Sequence, residues 1–200
     1  MTEVKTSIAR EIVATTPNAA EQKAELRKGL LALRSGISAQ HRHGADSAIV
    51  THLMAWQTQH LVGSLAVYWP IRGEPDLHDV FEALAQRGVQ LALPVVSGAD
   101  APLTFAAWTP GQAMQRGTFG VAIPATPQRT VLPQAILLPC LGFNAARIRL
   151  GYGGGFYDRT LASLPTIITV GVAYHCCQLE FPAEPHDVAL GSLITEHGFQ

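Results

Sequence analysis

Two hundred residues suit one domain, or one domain and a tail. Apolar residues make up 48% of the chain and charged residues 14%, which excludes a largely disordered protein and permits a large core. A net charge of −1 supplies no basic field for nucleic acid or anionic lipid, and no apolar run reaches membrane-spanning length. The three cysteines, Cys140, Cys176 and Cys177, are odd in number, two are adjacent, and none forms a Cys-x-x-Cys pair. That is poor material for a disulfide framework or a structural zinc site, and it points to a reducing, cytoplasmic setting. Lysine occurs only at 5, 23 and 28, against eleven arginines, so a lysine that meets a phosphate has few candidates.

Residues 1–20 show weak periodicity and read as a tail or a short helix; residues 21–200 read as one domain. Asn18 and Glu21 make an asparagine variant of the capping box, which predicts a helix over 20–34 with Leu26, Leu30 and Leu33 as its apolar stripe. Lys23 and Arg27 lie four apart and share a face, either solvated or turned to an anion. Ser38 caps a second helix to about residue 57, with Ile49, Val50, Leu53, Met54 and Trp56 inward. His41 and His43, two apart on a helix, point to different faces and read as surface residues.

A strand over 61–69 leads into a turn that carries Gly73, Glu74 and Asp76. A third helix starts near Asp76 and Asp79 and ends at Gly88, with Leu77, Val80, Phe81 and Leu84 inward. Residues 89–96 form the next strand and 103–108 an edge or antiparallel strand. The run 135–140 reads as a buried strand, and 167–174 as an interior one. Strands alternating with helices predict a three-layer α/β/α domain with a mostly parallel sheet.

Between the strand at 135–140 and a helix over 156–164 lies a glycine loop with Gly151, Gly153, Gly154 and Gly155. Glycines let backbone N–H groups approach an anion, and the first helical turn adds unpaired donors. The helix dipole contributes only about 0.3–1 kcal/mol, so side-chain cations are needed too, and Arg149 and Arg159 flank the loop. No Gly-Lys pair occurs for a Walker loop, and Phe156 stands where a dinucleotide fingerprint needs glycine.

The string Arg149-Leu150-Gly151-Tyr152-Gly153-Gly154-Gly155-Phe156-Tyr157-Asp158-Arg159 resembles the signature of the 5-formyltetrahydrofolate cyclo-ligase (5,10-methenyltetrahydrofolate synthetase) family. The resemblance spans roughly 21–196. Lys23, Leu26 and Arg27 match its Lys-x-x-Leu-Arg; Trp69, Gly73 and Glu74 match the segment that grips folate; 116–124 matches a turn of the family; His186-Asp187 and Thr195-Glu196 match two later pairs. It implies the fold of sugar-phosphate isomerases and CoA transferases. It also implies magnesium-dependent use of ATP to convert 5-formyltetrahydrofolate to 5,10-methenyltetrahydrofolate, by a monomer or weak homo-oligomer.

On that resemblance, Lys23, Arg27 and the stretch from Arg149 to Tyr157 bind ATP. Trp69 and Glu74 bind the folate, Asp158 and Asp187 hold magnesium, and Arg149, Tyr157 and Asp158 serve the chemistry. The chain departs from the family at Asn144, Arg147 and Ile123, where aspartate, glycine and glutamate are usual. Those departures leave open a diverged paralogue: a non-catalytic folate-binding protein, or an ATP-dependent enzyme on another substrate. A sugar-phosphate isomerase of the same fold, needing no ATP, is a third reading.

Overall fold

A computed structural model describes residues 18–126, 129–184 and 187–200. The expected tail therefore lies almost wholly outside the described residues, as does His186. Asn18 caps α1 (Ala19–Ser35) through the reciprocal bonds expected of it, accepting from Glu21 N and donating its own N–H to the Glu21 carboxylate. The helix is rolled relative to the expected leucine stripe. Leu33 is 47% exposed, and the residues it buries are Lys23, Leu30 and Arg34. These fall at i, i+7 and i+11, with Arg27 between them on the same face. The inward face of α1 is thus a cationic one.

Ser38 caps α2 (Ala39–His60), which buries Ile49, Leu53 and Trp56 as its periodicity predicts. It runs past residue 57 and ends on Leu61, held in the left-handed region at φ 50°. β1 (Ser64–Ala66) is correspondingly shorter than the expected strand. Beyond it Val67 adds one more bond, to the Ala92 carbonyl, before the chain turns away at Pro70. α3 (His78–Gln86) buries Val80, Phe81 and Leu84. It stops where Gly88 adopts φ 84° and Val89 N–H closes on the Leu84 carbonyl at 3.0 Å, a left-handed glycine terminus.

The strands β2 (Gln90–Val95), β3 (Thr104–Trp108), β6 (Ala135–Pro139), β9 (Ile168–Val172), β10 (Ser192–Thr195) and β11 (Gly198–Phe199) join β1 in a seven-stranded sheet. Its order is β11-β10-β9-β6-β1-β2-β3. The four inner pairings are parallel and the two edge strands, β3 and β11, are antiparallel, so β3 is the antiparallel edge expected of 103–108. Alternation along each strand sorts side chains to two faces. Leu65, Leu91, Leu137 and Val170 pack with α1, α2 and α3; Ala66, Ala92, Ile136 and Leu138 pack with Leu161 of α4 (Phe156–Ser163). The result is three layers, helices on both sides of a mostly parallel sheet.

Two small ribbons have no counterpart in the sequence reading. β4 (Met114–Arg116) and β5 (Ala122–Pro124) pair across the turn at 117–121; β7 (Gly142–Phe143) and β8 (Arg149–Leu150) pair just before the glycine loop. Each has strands of only two or three residues, too short for alternation to show. Among the described residues no helix is long and apolar enough to cross a membrane.

Candidate active site

From β1 the chain order steps one way to β2, and from β6 it steps the other way through β9 to β10. The reversal between β1 and β6 opens a crevice at the carboxyl ends of the strands, where ligands of open α/β sheets bind. A cleft of about 500 Å³ lies there. Its walls come from Tyr68 and Trp69 after β1, Val95 and Val96 at the end of β2, and Pro139 at the end of β6. The β4–β5 turn covers one side with Phe119 and Ile123, and the glycine loop covers the other.

The loop is shaped by its sequence. Gly153 has φ 90° and Gly155, the N-cap of α4, has φ 67°; a side chain at either would be strained. Arg27 steadies the loop from α1, donating Nε–H to the Gly151 carbonyl at 2.8 Å. Arg149, buried at the head of the loop, pairs with Asp158 in the first turn of α4, and its guanidinium lies 5.5 Å from the centre of the Tyr157 ring. Phe156 sits edge-to-face with Phe119 across the cleft mouth, centroids 5.6 Å apart. Leu150 is a core residue of β8 and has only its backbone to offer a ligand. Lys23 is buried between two carboxylates, Glu184 and Asp187, the latter at 2.9 Å. Burial lowers the Lys23 pKa and those carboxylates raise it, with the net effect upward.

On the opposite wall Glu74 is 3% exposed. It accepts the Ile71 N–H at 2.9 Å and the Tyr152 hydroxyl at 2.7 Å. Burial pushes its carboxyl above the usual range; those two bonds and the Arg34 and Arg72 cations pull it back only in part. Burial likewise raises the Tyr152 and Tyr157 hydroxyls. Trp69 is wedged by His78 and Trp108, at centroid distances of 4.5 and 6.2 Å, and presents an apolar wall.

The cleft therefore gathers Trp69, Glu74, Arg149, the loop and Asp158; Lys23, Arg27 and Asp187 are not in its lining, though Arg27 touches the loop. Among the described residues no group of three His, Cys, Asp or Glu could cage a metal. A hard cation such as magnesium can be held by one or two carboxylates, with phosphate oxygens and water filling its shell. Asp158, about half exposed at the cleft, fits such a role; Asp187 accepts from Lys23 and from the Glu184 N–H.

The residues that depart from the family pattern fall in two places. Asn144 is buried below the site, where its Oδ1 accepts the Ala146 and Ile148 N–H groups at 3.1 and 2.9 Å. Arg147 holds the left-handed position of that turn at φ 58° and bonds the Leu190 carbonyl. Ile123 alone is in the cleft wall. Sequence reasoning missed Arg34, which is 1% exposed and donates to the Tyr152 hydroxyl and to the Arg72 carbonyl. Its spacing of eleven from Lys23 was the available signal.

Fold and site together define an α/β enzyme with a glycine loop facing a buried carboxylate across one cleft. A model of the 5-formyltetrahydrofolate cyclo-ligase family matches residues 19–196. The 5-formyltetrahydrofolate cyclo-ligase of Haemophilus influenzae is 29% identical over 182 residues, covering 87% of this chain and 97% of that one. The Mycolicibacterium smegmatis protein of the same name is 31% identical over 185 residues, covering 86% and 93%. The solved 5,10-methenyltetrahydrofolate synthetase of Aquifex aeolicus superposes with a TM-score of 0.76 at 28% identity, covering 89% of this chain and 91% of that one. The chain belongs to the 5-formyltetrahydrofolate cyclo-ligase family.

Proposed function

We propose that this protein converts 5-formyltetrahydrofolate to 5,10-methenyltetrahydrofolate while ATP is hydrolysed to ADP and phosphate. The chemical obstacle is the formyl oxygen, a poor leaving group as hydroxide. In the proposed sequence that oxygen attacks the γ-phosphorus and ADP departs. N10 then attacks the formyl carbon and gives up its proton to solvent, and the carbon–oxygen bond breaks with phosphate as the leaving group. Little of this needs a covalent contribution from the protein, so positioning and charge neutralisation carry the rate.

The loop amides from Gly151 to Phe156 cradle the triphosphate, with Arg149, Arg27 and Lys23 as its cations and the Leu150 backbone and Tyr152 beside it. Lys23 would turn from Asp187 and Glu184 to reach a phosphate. Tyr157, stacked under Arg149, lies between the two ligands. Trp69 walls the pteridine, and Glu74 accepts from its aminopyrimidinone edge; such charge-assisted bonds contribute roughly 1.5–3 kcal/mol each. Asp158, and Asp187 once Lys23 has turned away, would hold magnesium, which would supply neutralisation of phosphate charge.

The observation that carries this reading is the Tyr152–Glu74 contact of 2.7 Å, which sets the loop and the buried acid at a single cleft. The test follows the rising absorbance of the methenyl product with and without ATP and magnesium. Product is expected only with both, and Asp158→Ala is expected to abolish turnover while leaving the circular dichroism spectrum unchanged. A protein that binds the folate but yields no ATP-dependent product would be a non-catalytic binder.

A further inference from the structure

Among the described residues Arg34 is the charged side chain that solvent reaches least, and no step of the proposed reaction uses it. It projects from the inward face of α1, donates Nε–H to the Arg72 carbonyl at 3.0 Å, and donates an Nη2 proton to the Tyr152 hydroxyl. That hydroxyl passes its own proton on to Glu74 Oε1 at 2.7 Å. The Arg34 and Arg72 guanidiniums lie 5.7 and 5.4 Å from the centre of the Tyr152 ring. Arg42 clamps the arrangement from α2, bonding the Arg34 carbonyl at 2.8 Å and the Gly73 carbonyl at 2.6 Å. Arg34 Nη1 is buried and has no hydrogen-bond partner among the described residues.

Stability is a poor account of this residue. A buried ion with an orphaned donor is costly, and an apolar side chain of similar length often replaces such an ion with no loss of stability. What the guanidinium does accomplish is directional. A tyrosine hydroxyl has one proton; with Arg34 occupying its acceptor side, that proton is turned toward Glu74. The other Glu74 oxygen is taken by the Ile71 N–H. Both carboxylate oxygens are thereby fixed in one plane, the condition for a two-pronged contact with a planar ligand edge.

We propose that Arg34 is a positioning residue for folate recognition: through the Tyr152 hydroxyl it fixes the orientation of the Glu74 carboxylate that accepts the pteridine edge. The inference rests on the reading of Glu74 as the folate-binding acid. Charged and titratable groups around Glu74 are Arg34, Arg72, Tyr68, Tyr152, Tyr157 and Cys140; the two arginines favour its charge as cations, and Tyr152 favours it through its hydrogen bond. Removing one of those two cations pushes the acid limb of folate binding to higher pH.

The experiment compares wild type, Arg34→Met and Glu74→Gln by steady-state kinetics against each substrate and across pH. In Arg34→Met the KM for 5-formyltetrahydrofolate is expected to rise about tenfold, with kcat and the KM for ATP within about twofold of wild type. The pH at which folate KM begins to climb is expected to move upward. Should Arg34→Met not fold, Arg34→Lys carries the test. It keeps the charge but cannot serve both acceptors, so an intermediate folate KM and a smaller pH displacement are expected. A folate KM at the wild-type value in the variant tested, alongside a raised one in Glu74→Gln, overturns the role of Arg34 alone. So does equal damage to both substrates. If Glu74→Gln also leaves folate KM unmoved, the assignment of Glu74 falls and this inference with it. A wild-type enzyme without ATP-dependent product removes the proposed function itself.

Discussion

At residue scale, Glu74 places two demands on the protein that conflict. In the proposed role, folate recognition needs the carboxylate charged, and burial disfavours that charge, so its pKa is raised. In the unfolded chain Glu74 titrates in the ordinary carboxylate range. Between that range and the raised folded value, the folded protein holds more protons than the unfolded one. Stability associated with Glu74 is therefore fullest below the unfolded pKa and is lost as pH rises through the folded pKa. Glutamine does not titrate, and its amide can accept from Ile71 N–H and donate to the Tyr152 oxygen. Melting temperatures of Glu74→Gln and wild type, measured across pH, are expected to diverge upward in favour of the mutant through that window and then run parallel. Each kcal/mol so released is worth roughly 2–4 °C in a chain of this size. A mutant that gains on wild type only as pH falls would reverse the sign of the argument.

At the scale of elements, the β7–β8 ribbon accounts for two departures that looked chemical in the sequence. Losing an acid at 144 and gaining a cation at 147 suggested an altered site. In the fold both are turn residues behind it. A carboxylate at 144 would accept the same two N–H groups that the Asn144 amide oxygen accepts. Arg147 occupies a left-handed position that glycine takes without strain, at a cost of about 1–2 kcal/mol that its bond to the Leu190 carbonyl offsets. The double variant Asn144→Asp/Arg147→Gly is expected to keep kcat and both KM values within about twofold of wild type, with stability within about 1 kcal/mol by urea unfolding. A large kinetic effect would place this turn in the site after all.

What was legible at this scale follows from length and period. The capped helices and the apolar strands β2, β6 and β9 announced themselves over enough residues for a pattern to emerge. The ribbons did not, and α1 was rolled by one position because three leucines outweighed a cationic face. That preference is sound for a free amphipathic helix. It fails here because the interior beside α1 is a polar site, where Lys23 finds Asp187 and Glu184, and Arg34 finds Tyr152. The glycine string disclosed the family and the loop. It could not disclose that Tyr152 reaches back 78 positions to Glu74, because chain separation hides which side chains meet.

At the scale of the whole molecule, the proposed function puts two subsites on opposite walls of the one cleft between β1 and β6, and this makes them separable by linkage. A ligand that binds only the folded state stabilises it by about 2.7 kcal/mol at a hundredfold excess over its Kd. That corresponds to a rise of about 5–10 °C in melting temperature for a domain of this size. Magnesium–ATP and 5-formyltetrahydrofolate, offered one at a time so that no turnover occurs, are each expected to raise the melting temperature of the wild type. Gly153→Ala strains a φ of 90° in the loop beside Arg27 and leaves Glu74 and its Tyr152 partner unsubstituted, so it should lose most of the nucleotide shift and keep most of the folate shift. Glu74→Gln should do the opposite. Because each variant is compared with itself without ligand, changes in intrinsic stability cancel. Loss of both shifts in either variant would mean that the two walls act as one site and that the assignment of separate subsites is wrong.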